Sequence, residues 1–175
     1  VQTCALPISD QGFKHYEVTS PGFKYNMMDL QAALAIHQLK RIEQNLERRQ
    51  AIWKRYDEAF AELPVILPAP EEPGTRHACH LYTPLLDIDR LRCTRDDVQF
   101  ALHKQKIGTG IHYRALHLHP YYRDTFTYKA DEFPNAGWIS DRTISLPLSP
   151  KLTEEDVEDV IFAFRSTLQH FKSLY

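Results

Sequence analysis

The densest chemical signal in this sequence is the run Gly108-Thr109-Gly110-Ile111-His112-Tyr113-Arg114-Ala115-Leu116-His117-Leu118-His119-Pro120-Tyr121-Tyr122-Arg123. Three histidines, three tyrosines and two arginines follow two glycines at a strand end. Glycine lets backbone approach a ligand closely, and His, Tyr and Arg supply donors suited to phosphates and sugar hydroxyls. One reading is recognition of a polar or phosphorylated small molecule. A metal site is a second, weaker reading: the spacing of His112, His117 and His119 matches no standard zinc pattern, and no Cys or carboxylate follows until Asp124. A third is a surface loop rich in amphipathic aromatics.

A second signal is Pro21-Gly22-Phe23-Lys24-Tyr25-Asn26-Met27-Met28-Asp29-Leu30, a glycine turn entering a helix. Backbone N–H groups at a helix start favour anions, and Lys24 and Asn26 offer further donors. Elsewhere the bland readings win. Met27 and Met28 read as core filler, and Trp53, Tyr56 and Phe60, at helical spacing, as packing residues. His77 and His80, beside Cys79, lack a third ligand and read as structural, as does His37. No serine sits in a nucleophile elbow, and no nucleotide-hydrolase phosphate loop occurs.

The elements that must carry these residues follow from periodicity. From Met27 to Leu63 the sequence has no Pro or Gly, and Met28, Ala32, Ala35, Leu39, Ile42 and Leu46 recur at three- and four-residue steps. That pattern predicts one amphipathic helix of about 35 residues, roughly 50 Å long, starting near Asp29. Prolines 64, 68, 70 and 73 then break regular structure. His80–Leu86 reads as a strand. Thr94, followed by Asp96 and Asp97, opens a helix reaching Gln105, with Val98, Ala101 and Leu102 inward; Gly108 is expected to end it. Thr109–Tyr113 and Ile144–Leu146 read as short strands, residues 114–135 as mostly loop, and Ala136–Asp141 as a helical turn. Thr153 caps a last helix with Val157, Val160, Ile161, Phe164 and Leu168 as its core stripe. The sum is a small α/β layer on a helical arm. The domain boundaries expected are residues 1–20, 21–63 and 64–175.

Composition narrows the classes. Apolar residues make up 43% and charged residues 25%, as in an ordinary folded domain. Lys and Arg number 21 against 23 Asp and Glu, a net charge of −2, which gives no electrostatic reason to expect nucleic acid. No apolar run approaches the roughly 20 residues a membrane span needs. Three cysteines without a CxxC pair point to neither disulfides nor zinc, and a reducing cytoplasm is the default location. The opening VQTCALPIS lacks a starting Met and any signal-peptide pattern. It reads as a translated sequencing adapter, so residues 1–9 are expected to be foreign and the gene to continue upstream.

Four segments together resemble the DegT/DnrJ/EryC1/StrS sugar aminotransferases: GFKYNMMDLQAALAIHQLKRIEQNLERRQ, HACHLYTPLLD, IGTGIHYRALHLHPYYR and SDRTISLPLSPKLTEEDVEDVIFAFR, in the family's order over residues 20–166. The resemblance implies the C-terminal small domain of a fold-type-I aminotransferase, α/β, with a long connecting helix and a small sheet flanked by helices. It implies pyridoxal 5′-phosphate as cofactor, a homodimer, and transfer of an amino group, usually from glutamate, onto a nucleotide-linked keto-sugar. The family's cofactor-bearing lysine lies upstream of the matched segments, so no catalytic residue is assigned and the piece is expected to be inactive alone. The family's turn before the connecting helix reaches a cofactor phosphate at the subunit interface, which makes Lys24 or Asn26 the phosphate contact and the two together the candidate cofactor-binding residues; Asn26 stands where Arg is usual. The stretch over the sugar-nucleotide makes His112, Tyr113, Arg114 and His117 the substrate contacts, with Arg114 replacing the more usual Pro. A non-catalytic sugar-nucleotide-binding module, or a dimerisation module built on the long helix, is the alternative.

Overall fold

The computed structural model describes residues 25–173. The chain divides into two compact units between Glu43 and Gln44.

In the first unit the described residues form α1, Asp29–Leu39. Gln31 reaches back to accept the Met28 N–H at 3.1 Å, satisfying a donor that the first turn leaves open. The predicted stripe is not buried here: α1 contains no buried residue, and Met28, Leu30, Leu34, Ile36 and Leu39 are exposed. An apolar stripe becomes core only where something packs on it.

The single long helix expected from Met27 to Leu63 is two helices. The second, α2, runs Ile42–Phe60 and starts after a break at Lys40–Arg41. The cause is local. Arg41 N–H bonds Gln38 O at 3.1 Å, three residues back, while its guanidinium Nε donates to His37 O at 3.4 Å. A side chain thus occupies the carbonyl that a regular turn would offer the backbone, and the helix is interrupted without proline or glycine.

The second unit has one core. Ile52, Tyr56 and Phe60 on α2, four residues apart, meet the last helix α7 (Glu154–Ser173) through Val157, Val160, Ile161, Phe164 and Leu168. Phe60 and Phe164 pack edge to face at 4.7 Å. Val98 and Leu102 of α4 (Arg95–Lys104) close the core from another side. Burying each such side chain contributes about 1.5–3 kcal/mol. Outside the core, Arg48 and Arg55 of α2 pair with Glu154, and Arg55 also with Glu158, tying the two helices at the surface.

Both predicted caps form. Asp97 N–H donates to Thr94 Oγ1 at 3.2 Å and Thr94 N–H to Asp97 Oδ2 at 2.9 Å. Thr153 and Asp156 repeat the exchange at the start of α7. The end of α4 differs from expectation. Lys106, not Gly108, takes the left-handed conformation (φ 64°), with Ile107 N–H bonding Leu102 O and Lys106 N–H bonding His103 O. This closure uses hydrogen bonds to hold a lysine where glycine is commoner.

The sheet is smaller than predicted. β1 (Val65–Ile66) pairs antiparallel with β2 (Leu85–Leu86), and a single four-residue helical turn, α3 (Ile88–Leu91), follows. The remaining pairing is by isolated antiparallel bridges, Tyr82↔Leu146, Leu85↔Thr143 and Gly110↔Ser145. The segment 143–146 therefore lies between the Tyr82–Leu85 segment and Gly110. Residues 114–135, expected as loop, hold a 3₁₀ turn (Leu116–Leu118) and α5 (Pro120–Phe126); α6 is Pro134–Arg142, longer than the turn predicted. Both α5 and α6 start on a proline, whose fixed φ suits the first helical position.

Candidate functional site

The candidate site is built on the Gly110↔Ser145 bridge, in the second unit. Gly110 N–H donates to Ser145 O at 3.1 Å and Ser145 N–H to Gly110 O at 2.8 Å. Two residues on, the His112 ring turns back, and its Nδ1 lies 2.6 Å from Ser145 Oγ. Gly110 makes room for this: a Cβ there would stand 2.8 Å from His112 Cε1. The imidazole is half-buried and packs edge-on to Tyr113 at 4.7 Å.

Tyr113 is 74% exposed, and Arg114 is exposed, its guanidinium making only a long 3.5 Å contact with Leu118 O. Ala115 then turns inward, buried, its N–H donating to Ser140 Oγ at 2.9 Å. Ser140 is itself tied to α4, because Arg95 donates to its carbonyl at 2.7 Å. The array His112–Arg114 is thus pinned at both ends, by Ser145 before it and Ser140 after it.

His117 turns inward. Its side chain is 5% exposed, with Nε2 3.3 Å from Ala130 O and its ring 5.0 Å from Phe133. The structure places it as packing beneath the 3₁₀ turn rather than at the surface, because burying the ring against Phe133 also spends its Nε2. His119 is half-buried, and Tyr121 is exposed. Arg123 is committed to Asp124 at 2.8 Å, and that hydrogen bond holds the Asp124 carboxyl below the usual carboxylate range.

Asn26, in the first unit, is exposed ahead of α1. Lys24 lies outside the described residues, as do residues 1–9. Among the described residues no group of three or more His, Cys, Asp or Glu is disposed to hold a metal ion. No helix of the described residues is long and apolar enough to cross a membrane. Burial pushes the Cys93 thiol up to about 11 and raises that of Cys79, which favours the protonated form of both.

Ser140 and Ser145 are the residues that sequence reasoning missed as parts of the site. A signal existed. Thr143 and Ser145 alternate with Ile144 and Leu146, so two hydroxyls share one face of an otherwise apolar strand.

The DegT/DnrJ/EryC1/StrS aminotransferase family model matches residues 3–165. Protein MJ1066 of Methanocaldococcus jannaschii is 46% identical over 157 residues, covering 90% of this chain and 41% of that protein. The spore coat polysaccharide biosynthesis protein SpsC of Bacillus subtilis is 45% identical over 163 residues, covering 92% and 42% respectively. This chain therefore spans about two fifths of the length of the curated relatives it matches. Spr1654 of Streptococcus pneumoniae, assigned as a sugar aminotransferase and solved in apo-, PLP- and PMP-forms, superposes with a TM-score of 0.77 at 28% identity. The apo-form match covers 91% of this chain and 40% of that one. The expected fold class, part of a fold-type-I aminotransferase, is borne out by that superposition. By sequence and by fold, this chain belongs to the DegT/DnrJ/EryC1/StrS aminotransferase family.

Proposed function

We propose that this chain is part of an aminotransferase that moves an amino group, with glutamate as donor, onto a nucleotide-linked keto-sugar during synthesis of a polysaccharide or cell-surface glycan. Family membership supports the transfer chemistry, and the likeness to SpsC supports the glycan setting. The observation that carries the substrate reading is the array at the Gly110↔Ser145 bridge. It presents an anchored imidazole, an exposed phenol and an exposed guanidinium on three consecutive residues.

Those three groups suit the parts of a sugar-nucleotide. Arg114 can grip a diphosphate through paired N–H donors, which a proline at this position could not. Tyr113 offers an apolar ring face with a polar tip. His112 offers a ring nitrogen to a sugar oxygen. His117, packed on Phe133, supports the turn that follows.

Pyridoxal 5′-phosphate is the cofactor of this reading, and when bound it acts as the electron sink for proton transfer. The residues present fit its phosphate. Asn26 has an exposed carboxamide just ahead of α1, whose first-turn N–H groups have no acceptor within the helix. Lys24 and Asn26 are the contacts proposed. No residue of the chain is assigned as the cofactor-bearing lysine, the working assembly is a homodimer, and its location is the cytoplasm.

The test is titration of the chain with UDP-glucose, followed by backbone amide spectra. Shifts should concentrate at residues 110–118, and Arg114→Ala should weaken binding about tenfold, the scale of one lost charged hydrogen bond. Absence of any localised shift, or an Arg114→Ala variant that binds like the parent, refutes the substrate reading.

A further inference from the structure

The hydrogen bond between His112 and Ser145 has a direction, and the direction decides what His112 can recognise. Ser145 is 5% exposed. Its backbone N–H and C=O are spent on Gly110, and the one side-chain partner of its Oγ among the described residues is His112 Nδ1. Two arrangements fit a 2.6 Å separation. If Nδ1 carried the proton, it would donate to Oγ, and the serine hydroxyl hydrogen would be left buried with no acceptor. If the hydroxyl donates to Nδ1, every buried hydrogen has a partner and only an oxygen lone pair goes unused. Buried donors are left unpaired more rarely than acceptors. No buried side-chain nitrogen or oxygen among the described residues lacks a partner, which agrees with a satisfied Ser145.

We propose that Ser145 is a positioning residue that locks His112 in the tautomer with its proton on Nε2. Nε2 makes no hydrogen bond to the described protein, so the ring presents a fixed donor to an oxygen acceptor of the substrate. This deepens the substrate reading above and rests on it only for the identity of the ligand. Gly110 is the second part of the device. A Cβ at that position would lie 2.8 Å from Cε1 and 3.3 Å from Nδ1, displacing the ring from the serine hydroxyl. Serine and glycine therefore act together through the bridge that pairs them.

The experiment is a ring ¹⁵N–¹H correlation spectrum of the whole chain with its histidine rings neutral, His112 being assigned by its loss in His112→Gln. The expected result is a single tautomer protonated at Nε2. Ser145→Ala should give a mixture of tautomers and Ser145→Thr should restore one, since it keeps the hydroxyl. Gly110→Ala should give a mixture although Ser145 is intact. A merely structural serine would not move the tautomer. A parent spectrum with the proton on Nδ1, or a Ser145→Ala spectrum identical to the parent, overturns the proposal. If Ser145→Ala disturbs the backbone amides, Gly110→Ala decides: an unchanged tautomer there also overturns it. UDP-glucose added to the parent should shift the Nε2 resonance, and Ser145→Ala should bind it about fivefold more weakly. If the tautomer results hold while UDP-glucose leaves Nε2 unmoved, the positioning role of Ser145 stands and the substrate reading of His112 fails.

Discussion

Replacing Tyr82 by Phe removes one oxygen from the centre of the second unit, and the structure allows the cost to be worked out. The Tyr82 ring is fully buried and packs against Trp53 at 4.9 Å, Tyr56 at 5.0 Å and Phe60 at 6.2 Å; phenylalanine keeps all three contacts. What is lost is the hydroxyl donating to Asp57 Oδ1 at 2.8 Å. A hydrogen bond to a charged group contributes about 1.5–3 kcal/mol, and the half-buried Asp57, which keeps water access, argues for the lower end. A loss of about 1.5 kcal/mol lowers the melting temperature of a chain this size by roughly 3–6 °C. Burial raises the Asp57 pKa, offset in part by hydrogen bonds from Tyr82 and Trp53. With its folded pKa above the unfolded value, Asp57 favours the folded state when protonated, and that contribution is lost as pH rises through the folded pKa. Removing Tyr82's hydroxyl raises the pKa further, so the penalty should be full at pH 7 and shrink in acid. Urea unfolding followed by Trp53 fluorescence, at pH 7 and in mild acid, measures both. A penalty below about 0.5 kcal/mol at neutral pH, or one that grows in acid, would refute the reasoning.

Further outcomes follow from the same structure. Phe164→Ala leaves a cavity against Phe60 in the fully buried core and should cost about 3–5 kcal/mol in urea unfolding; a cost under 1 kcal/mol contradicts the packing described. Thr94→Ala should cost about 1 kcal/mol at neutral pH. Its hydroxyl donates to Asp97 Oδ2 at 2.6 Å and holds that carboxyl below the usual range, so the stabilisation is present above the unfolded pKa and is lost as pH falls through the depressed one; a pH-independent difference in stability would count against it. Glu154→Gln breaks the pairs with Arg48 and Arg55 and should cost about 0.5–1 kcal/mol at low salt, converging with the parent at high salt. Mixed with pyridoxal phosphate, the chain should bind no stoichiometric, activity-bearing adduct, as absorbance and mass would report; finding one would place a reactive lysine in this sequence.

The starts of α4 and α7 were legible because capping is local: Thr94 with Asp97 and Thr153 with Asp156 sit three residues apart, and nothing distant is needed to form the exchange. The break at Lys40–Arg41 was not legible. It depends on where one guanidinium goes, and arginine ranks among good helix formers. Pro120 and Pro134 carried a start signal that reading them as loop residues overlooked. The site divides likewise. His112, Tyr113 and Arg114 stood out by type, whereas Ser140 and Ser145 matter through pairing across 25 and 33 residues, which spacing along a chain does not reveal. His117 has the same residue type as His112 but faces Phe133, since side-chain direction in a 3₁₀ turn changes within a few residues.

The Gly110↔Ser145 ladder is a single rung, one pair of backbone hydrogen bonds with no neighbouring rung on that side among the described residues. Cooperative protection in a sheet comes from adjacent rungs, so this one can open without melting the helices around it. The Gly110 and Ser145 amides should therefore exchange with deuterium together and sooner than Ile144 or Leu146, whose N–H groups bond Pro84 and Tyr82 in the layer's interior. The His112 segment would then lift and reseat as a hinged flap, on a free-energy scale smaller than that of unfolding.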